Sequence, residues 1–259
     1  MIKIVDSHAH LDDGSFESDF DAVMTRATEA GIAHVVIPAT DRTSWMRIRD
    51  LCGNYPQTHP AYGLHPMFLA EDAPTHVDAL SSWLDDHHAV AVGEIGLDFH
   101  VDGIDHDLQR HIFARQLDVA RGRDLPVIVH ARGALEEAIL TLRRTGGLRG
   151  VVHSFSGSEQ QAQHLWDIGF CLGIGGPVTY DRAQRLRRIV SHMPLDFLLL
   201  ESDAPDQPDA AHRGQRNEPA RVADILRCIA GLRDESEAEI AAATTANAHR
   251  LFGFGKHDA

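Results

Sequence analysis

Lysine is almost absent from this chain. Lys3 and Lys256 are its two copies, so nearly all the positive charge is arginine. Cysteine is also scarce: Cys52, Cys171 and Cys228 are odd in number, widely spaced and form no CxxC. That argues against a disulfide framework and against a thiolate zinc site. No apolar run approaches the roughly 20 residues that span a bilayer. The opening Met1–Asp6 lacks the charged flank and long apolar core of a secretory signal. The expectation is a cytoplasmic protein with no membrane partner. There is no GxSxG elbow and no phosphate-cradling P-loop. No linker, low-complexity tract or composition break divides the chain, so residues 1–259 are read as one domain. Positive charge is outnumbered too: 24 Lys and Arg against 38 Asp and Glu leave a net charge of −14. That balance opposes tight, non-specific binding of nucleic acid, which depends on phosphate neutralisation. It leaves room for a local cationic mouth, because charges are screened beyond about 8 Å at physiological salt.

What the chain does have is a rhythm of short apolar runs. They fall near residues 2–7, 34–38, 59–64, 89–95, 125–130, 150–153, 169–174 and 197–201. Continuous apolar runs of this length suit parallel strands buried on both faces. Between them lie helical spacings: Leu108, Ile112 and Leu117 mark one apolar face, and Leu135, Ile139 and Leu142 another. Ser158 to Gln161 fits a capping box, and Gly31, Gly122, Gly146 and Gly169 mark helix ends. Strand and helix alternating eight times predict an α/β fold, a TIM (β/α)8 barrel, which needs about 250 residues. A doubly wound open sheet is the alternative. The stretch 204–217, rich in Pro, Asp, Gly and Arg, reads as a long loop after the eighth strand.

Five of these runs end on side chains that bind metals. His8 and His10 follow the first, Glu94 the fourth, His130 the fifth, His153 the sixth and Asp203 the eighth. An HxH pair proves little in a chain with 18 His. In a barrel, however, all strand ends of one sense face one mouth, and there the five sets would converge on a dinuclear metal centre. His8 and His10 point to the same side of a strand, with Asp6 of like parity beneath them as a supporting partner. Glu94 would be costly to bury unless paired, for instance with Arg132, or ligated. With two oxygens it can bridge two cations, and no core lysine is present to be carbamylated for that task. Asp203 can both ligate a metal and take a proton from water, which makes Asp203 and Glu94 the candidate catalytic groups. Glu201 reads as barrel-lining. On the substrate side, His65 and Arg132 are candidates for holding phosphate, Arg132 as a bidentate clamp. Arg213 and Arg216, and Ser154, Ser156 and Ser158 at a helix start, are weaker ones.

Six segments, taken in order, resemble the TatD family of metal-dependent deoxyribonucleases: Asp-Ser-His-Ala-His-Leu-Asp, Gly-Leu-His-Pro, Gly-Glu-Ile-Gly-Leu-Asp, Pro-Val-Ile-Val-His-Ala-Arg, His-Ser-Phe-Ser-Gly-Ser and Glu-Ser-Asp-Ala-Pro. Arg213-Gly-Gln-Arg-Asn-Glu-Pro219 resembles that family's closing motif. The resemblance implies a TIM barrel of the amidohydrolase superfamily and 3′–5′ exonuclease activity on DNA or RNA. It implies His8, His10, Glu94 and Asp203 on one metal, and Glu94, His130 and His153 on the other. The chain departs from the usual pattern at Ser202, where threonine is common, and in Asp206–His212, which brings two acids towards the mouth. The expected cofactors are two divalent ions. The donor set suits Zn²⁺ or Mn²⁺, and the resemblance points to Mg²⁺. The expected partner is DNA, single-stranded or with free 3′ ends. The rival reading keeps the metals and hydrolyses a small amide, ester or lactone.

Overall fold

A computed structural model describes residues 2–100, 103 and 105–254. Its strands are β1 Ile4–Asp6, β2 Ile32–Pro38, β3 Thr58–Tyr62, β4 Ala91–Asp98, β5 Val127–Arg132, β6 Gly150–Val152, β7 Phe170–Ile174 and β8 Leu198–Leu200. The helices are α1 Phe20–Glu29, α2 Ser44–Asn54, α3 Ala73–Asp86, α4 His106–Gly122, α5 Leu135–Thr145, α6 Glu159–Trp166, α7 Gln184–His192, α8 Val222–Ala230 and α9 Glu237–Phe252. The eight strands form one parallel sheet in the order β1 to β8. It closes just beyond the strand ends, where Ser7 N–H donates to Leu200 O at 2.9 Å and His10 N–H to Ala204 O at 2.7 Å. The expected TIM barrel is what forms, and its seam lies between the segments carrying His8 and Asp203.

Two apolar layers hold it. Val5, Val36, Ala61, Ala91, Ile128, Val151, Cys171 and Leu199, one from each strand, fill the interior, and Ala248, Leu251 and Phe252 of α9 pack beneath them. A larger cluster lies between strands and helices. Small and branched side chains dominate the interior layer, as a cylinder only eight strands wide requires.

Two elements differ from expectation. β4 and β5 run past residues 95 and 130, because Gly96 to Asp98 pair with His130 to Arg132. The expected Leu108–Ile112–Leu117 face on α4 is rotated. Its buried residues are Gln109, Ile112, Phe113, Gln116, Leu117 and Ala120, with Leu108 only partly covered. The two buried glutamines do polar work. Gln109 accepts from Asp98 N–H and donates to Asp98 O, each at 2.8 Å. Gln116 does the same for Leu64, at 2.8 and 3.1 Å. Helix α4 thus clamps the chain just after β3 and at the end of β4. The Ser158–Gln161 capping box forms as expected at the start of α6.

Candidate metal centre

Glu94 lies in a β-bulge. Val92 pairs with Val127 but Ile95 pairs with Val129, so β4 carries one residue more than β5 at that point. Such an insertion re-aims a side chain, and here the carboxylate turns into the barrel mouth, 1% exposed. The glycines around it have reasons. A Cβ on Gly93 would lie 2.7 Å from Ile128 Cβ, and one on Gly96, at φ +145°, would lie 1.9 Å from the His130 carbonyl oxygen.

Five imidazoles surround that carboxylate, and its two oxygens face different ones. Oε2 lies 3.2 Å from His8 Nε2 and 3.4 Å from His10 Nε2. Oε1 lies 2.7 Å from His153 Nε2, 3.0 Å from His130 Nδ1 and 3.1 Å from His65 Nε2. Asp203 Oδ1 joins the first group, 3.5 Å from His8 Nε2 and 3.9 Å from His10 Nε2. Its backbone takes a left-handed conformation at φ +57°. Asp203 N–H donates to His8 O across the seam at 2.9 Å. The structure therefore brings His8, His10, Glu94, His130, His153 and Asp203 to one place.

The donor set fits cations. Both Glu94 oxygens are buried and accept no well-aligned hydrogen bond, although nitrogens stand at bonding distance from each. Candidate ligand atoms of His8, His10 and Glu94 lie within 4.8 Å of one another, as do those of His65, Glu94 and His130. Burial pushes the Glu94 carboxyl up, but His153, His65 and His8 outweigh it and hold the group well below the usual carboxylate range. Burial pushes Asp203 up, and Glu94 adds to that. Despite burial, contact with Glu94 pushes His10 up to about 9 and His153 up to about 10.

The partners of the outer ring nitrogens set the tautomers of His130 and His65. His130 Nε2 lies 2.9 Å from Asp98 Oδ2. A carboxylate there keeps the proton on Nε2 and leaves the Nδ1 lone pair facing Glu94. His65 is the reverse case. Met67 N–H donates to His65 Nδ1 at 3.1 Å, so the neutral ring carries its proton on Nε2, the nitrogen 3.1 Å from Glu94 Oε1. Burial holds the ring below the usual histidine range. His65, expected to hold phosphate, lines the cavity with its Nε2 3.1 Å from Glu94 Oε1.

Other expectations change. Asp6 touches no imidazole among the described residues. It accepts from the backbone N–H of His8 at 3.2 Å, and from Ser202 N–H and Oγ–H at 2.9 and 2.6 Å. It thus ties the His8 segment to the Asp203 segment, and Ser202 spends its hydroxyl there. Glu94 has no arginine beside it; Arg132 is exposed on the cavity rim. Arg213 and Arg216 do not line the cavity, and Arg216 pairs with Asp19 at 2.7 Å. Ser158 is spent on its helix cap. Of the two acids in the loop after β8, Asp206 lines the mouth. Asp209 is buried, capping residues 210–212 and bound to His212 at 2.8 Å. Glu201 lines the barrel as expected, accepting from Ser154 N–H at 2.5 Å. Burial pushes Glu201 up to about 8, and a Cβ on Gly173 would strike its Oε2 at 2.0 Å.

Sequence reasoning missed Asp98 and Gln207. Asp98 shares the parity of Glu94 on β4, a signal that was there to use. Gln207 donates to Asp203 Oδ2 and to Ser154 Oγ; it lies in a loop, where no periodicity points to it.

A family model described as TatD related DNase matches residues 5–253. This chain belongs to the TatD family. It is 38% identical over 255 residues to the metal-dependent hydrolase YjjV of Escherichia coli K12, covering 97% of this chain and 98% of YjjV. It is 34% identical to the metal-dependent hydrolase YabD of Bacillus subtilis, covering 96% and 98%. The crystal structure of YjjV, a TatD homolog, superposes with a TM-score of 0.93 at 37% identity, covering 97% of this chain and 98% of that one. A TatD family hydrolase of Entamoeba histolytica, at 20% identity and a TM-score of 0.83, shares the fold. The TatD chain described here is a metal-dependent hydrolase. No helix among its described residues is long and apolar enough to cross a membrane.

Proposed function

We propose that this TatD protein is a phosphodiesterase with two divalent cations, removing nucleotides from the 3′ end of DNA. One observation carries the reading: a fully buried carboxylate, Glu94, turns one oxygen to His8 and His10, which Asp203 also approaches, and the other to His130 and His153. A single acid between two nitrogen sets would serve two cations at once, which supports the reading. Mg²⁺, Mn²⁺ or Zn²⁺ bound there would polarise the phosphate and acidify the attacking water.

The chain's own groups do the rest. Glu94 presents one oxygen to each nitrogen set. Asp203, beside the first set and held by Gln207, receives the proton that the attacking water gives up. Burial raises its affinity for that proton. His65 packs its Nε2 3.1 Å from Glu94 Oε1, beside the proposed reaction centre. Arg132, exposed on the rim, meets phosphate entering from solvent.

The test couples elemental analysis of the purified protein to digestion of a 3′-labelled oligonucleotide with each ion in turn. Label release is expected with at least one ion. Asp203→Asn should cut the rate by roughly 10²–10⁴, the usual worth of a positioned proton acceptor, while circular dichroism stays unchanged. The rival substrate, a small amide, ester or lactone, draws support from Asp13 and Asp206 on the rim, which disfavour a polyanion. Turnover of such compounds with intact oligonucleotides under every ion would replace the nuclease reading.

A further inference from the structure

The mouth of the cavity, about 880 Å³ in volume, is not uniform around its rim. After β8 and β1, adjacent across the seam, it carries Asp206 and Asp13, with Asp12 beside them in an ion pair. After β3 and at the end of β5, across the barrel, it carries Met67, Phe68 and Arg132. Arg47 is also on the rim, but Asp12 holds it at 2.7 Å. Phe68 is 56% exposed and Met67 36%, two of the few large apolar side chains left in water among the described residues. The Phe68 ring centroid lies 5.6 Å from that of His65, whose Nε2 is 3.1 Å from Glu94 Oε1. One imidazole thus separates an exposed aromatic face from the proposed reaction centre.

Resting on the nuclease reading above, we propose that Phe68 is the stacking platform for an unpaired nucleobase, one of the two flanking the scissile phosphate. Arg132 holds the next phosphate of the same strand. The chemistry explains the pairing. Every base has a π-face and stacks on an aromatic ring whatever its sequence. A nearby guanidinium binds phosphate in two-pronged fashion. The strand leaves over the β3–β5 side, because the β8–β1 side repels it. A base still in a duplex has its faces covered by its neighbours, so the substrate is single-stranded or frayed at its 3′ end.

The experiment is a double-mutant cycle on the metal-loaded enzyme. Its substrates are a single-stranded oligonucleotide and the same oligonucleotide with an abasic residue at the 3′-terminal or the penultimate position. Phe68→Ala should raise KM and lower kcat/KM about tenfold on the intact strand, within the range that losing one stacked base produces. Removing the base at one of the two positions should cost the wild-type enzyme a similar factor, and the two losses should not add. Phe68→Trp should restore KM. Arg132→Ala should flatten the salt dependence of KM by about one phosphate contact. Equal KM for wild type and Phe68→Ala, or losses that multiply at both positions, would overturn the platform while label release continues. Wild-type enzyme that releases no label with any ion overturns the nuclease reading, and the platform with it.

Discussion

His130 faces Glu94 because Asp98 holds its far side. The Asp98 carboxylate reaches Nε2 at 2.9 Å and also accepts from His100 N–H at 2.9 Å, while Gln109 clamps its backbone. Losing the partner of a ligating histidine typically costs 10- to 100-fold in metal affinity. Asp98→Ala should therefore weaken metal binding in equilibrium dialysis by about that factor, with activity recovering as the ion is raised. Unchanged affinity would show that Asp98 does not orient the ring. Protons compete for the same imidazole and carboxylate atoms, so ion affinity should fall as pH falls, with protons released on binding. Calorimetry in buffers of different ionisation enthalpy reads that release directly.

At the scale of elements, α4 and α6 do different things for the site. The first reaches it through amides: Gln109 satisfies both backbone groups of Asp98, so Gln109→Leu leaves two buried polar groups unpaired. That should cost about 1–3 kcal/mol per group in chemical denaturation, and it should also lower activity, because Asp98 carries the His130 contact. The second is a local device. Ser158 caps Gln161 N–H at 3.2 Å and does not line the cavity. Ser158→Ala should cost about 1 kcal/mol of stability and leave kcat and KM where they were. Loss of activity in that variant would return the serine to the substrate side.

The molecule as a whole has a histidine-rich underside away from the candidate metal centre. His34 Nδ1 lies 2.9 Å from His59 Nε2, and Phe254, just past α9, stacks on the His34 ring and lies tilted against that of His59, at centroid distances of 4.8 and 4.3 Å. Burial, then His34, His88 and His249, push His59 down to about 4, and burial and His249 lower His34. The sign follows. Between the ordinary histidine value and pH 4 the unfolded chain binds a proton at residue 59 that the folded chain refuses. Stability is thus full above about pH 6.5 and falls as pH drops through that window. The slope reaches about 1.4 kcal/mol per pH unit for each such group. His59→Gln should flatten the acid limb of a stability–pH curve measured by urea titration.

Much of this was legible in the chain before it folded. Runs such as Pro-Val-Ile-Val-His carry the strand period and the ligand together, because a buried parallel strand is apolar throughout until it leaves the barrel. Those strand ends therefore marked both the cylinder and the residues at its mouth. What the linear order could not supply is which atom of each residue faces which. The bulge that turns Glu94 inward depends on pairing with β5, thirty-odd residues on. The proton on His65 sits on Nε2 because of a turn three residues long, and that on His130 because of an acid one strand away. The glutamine face of α4 escaped because an amide clamp on buried backbone mimics polar exposure in a hydrophobicity pattern. Residue type and spacing set the barrel and the chemistry available. Only closure of the β1–β8 seam and the strand register decided which groups meet, since hydrogen-bond partners and tautomers are fixed by contacts between segments that no local pattern encodes.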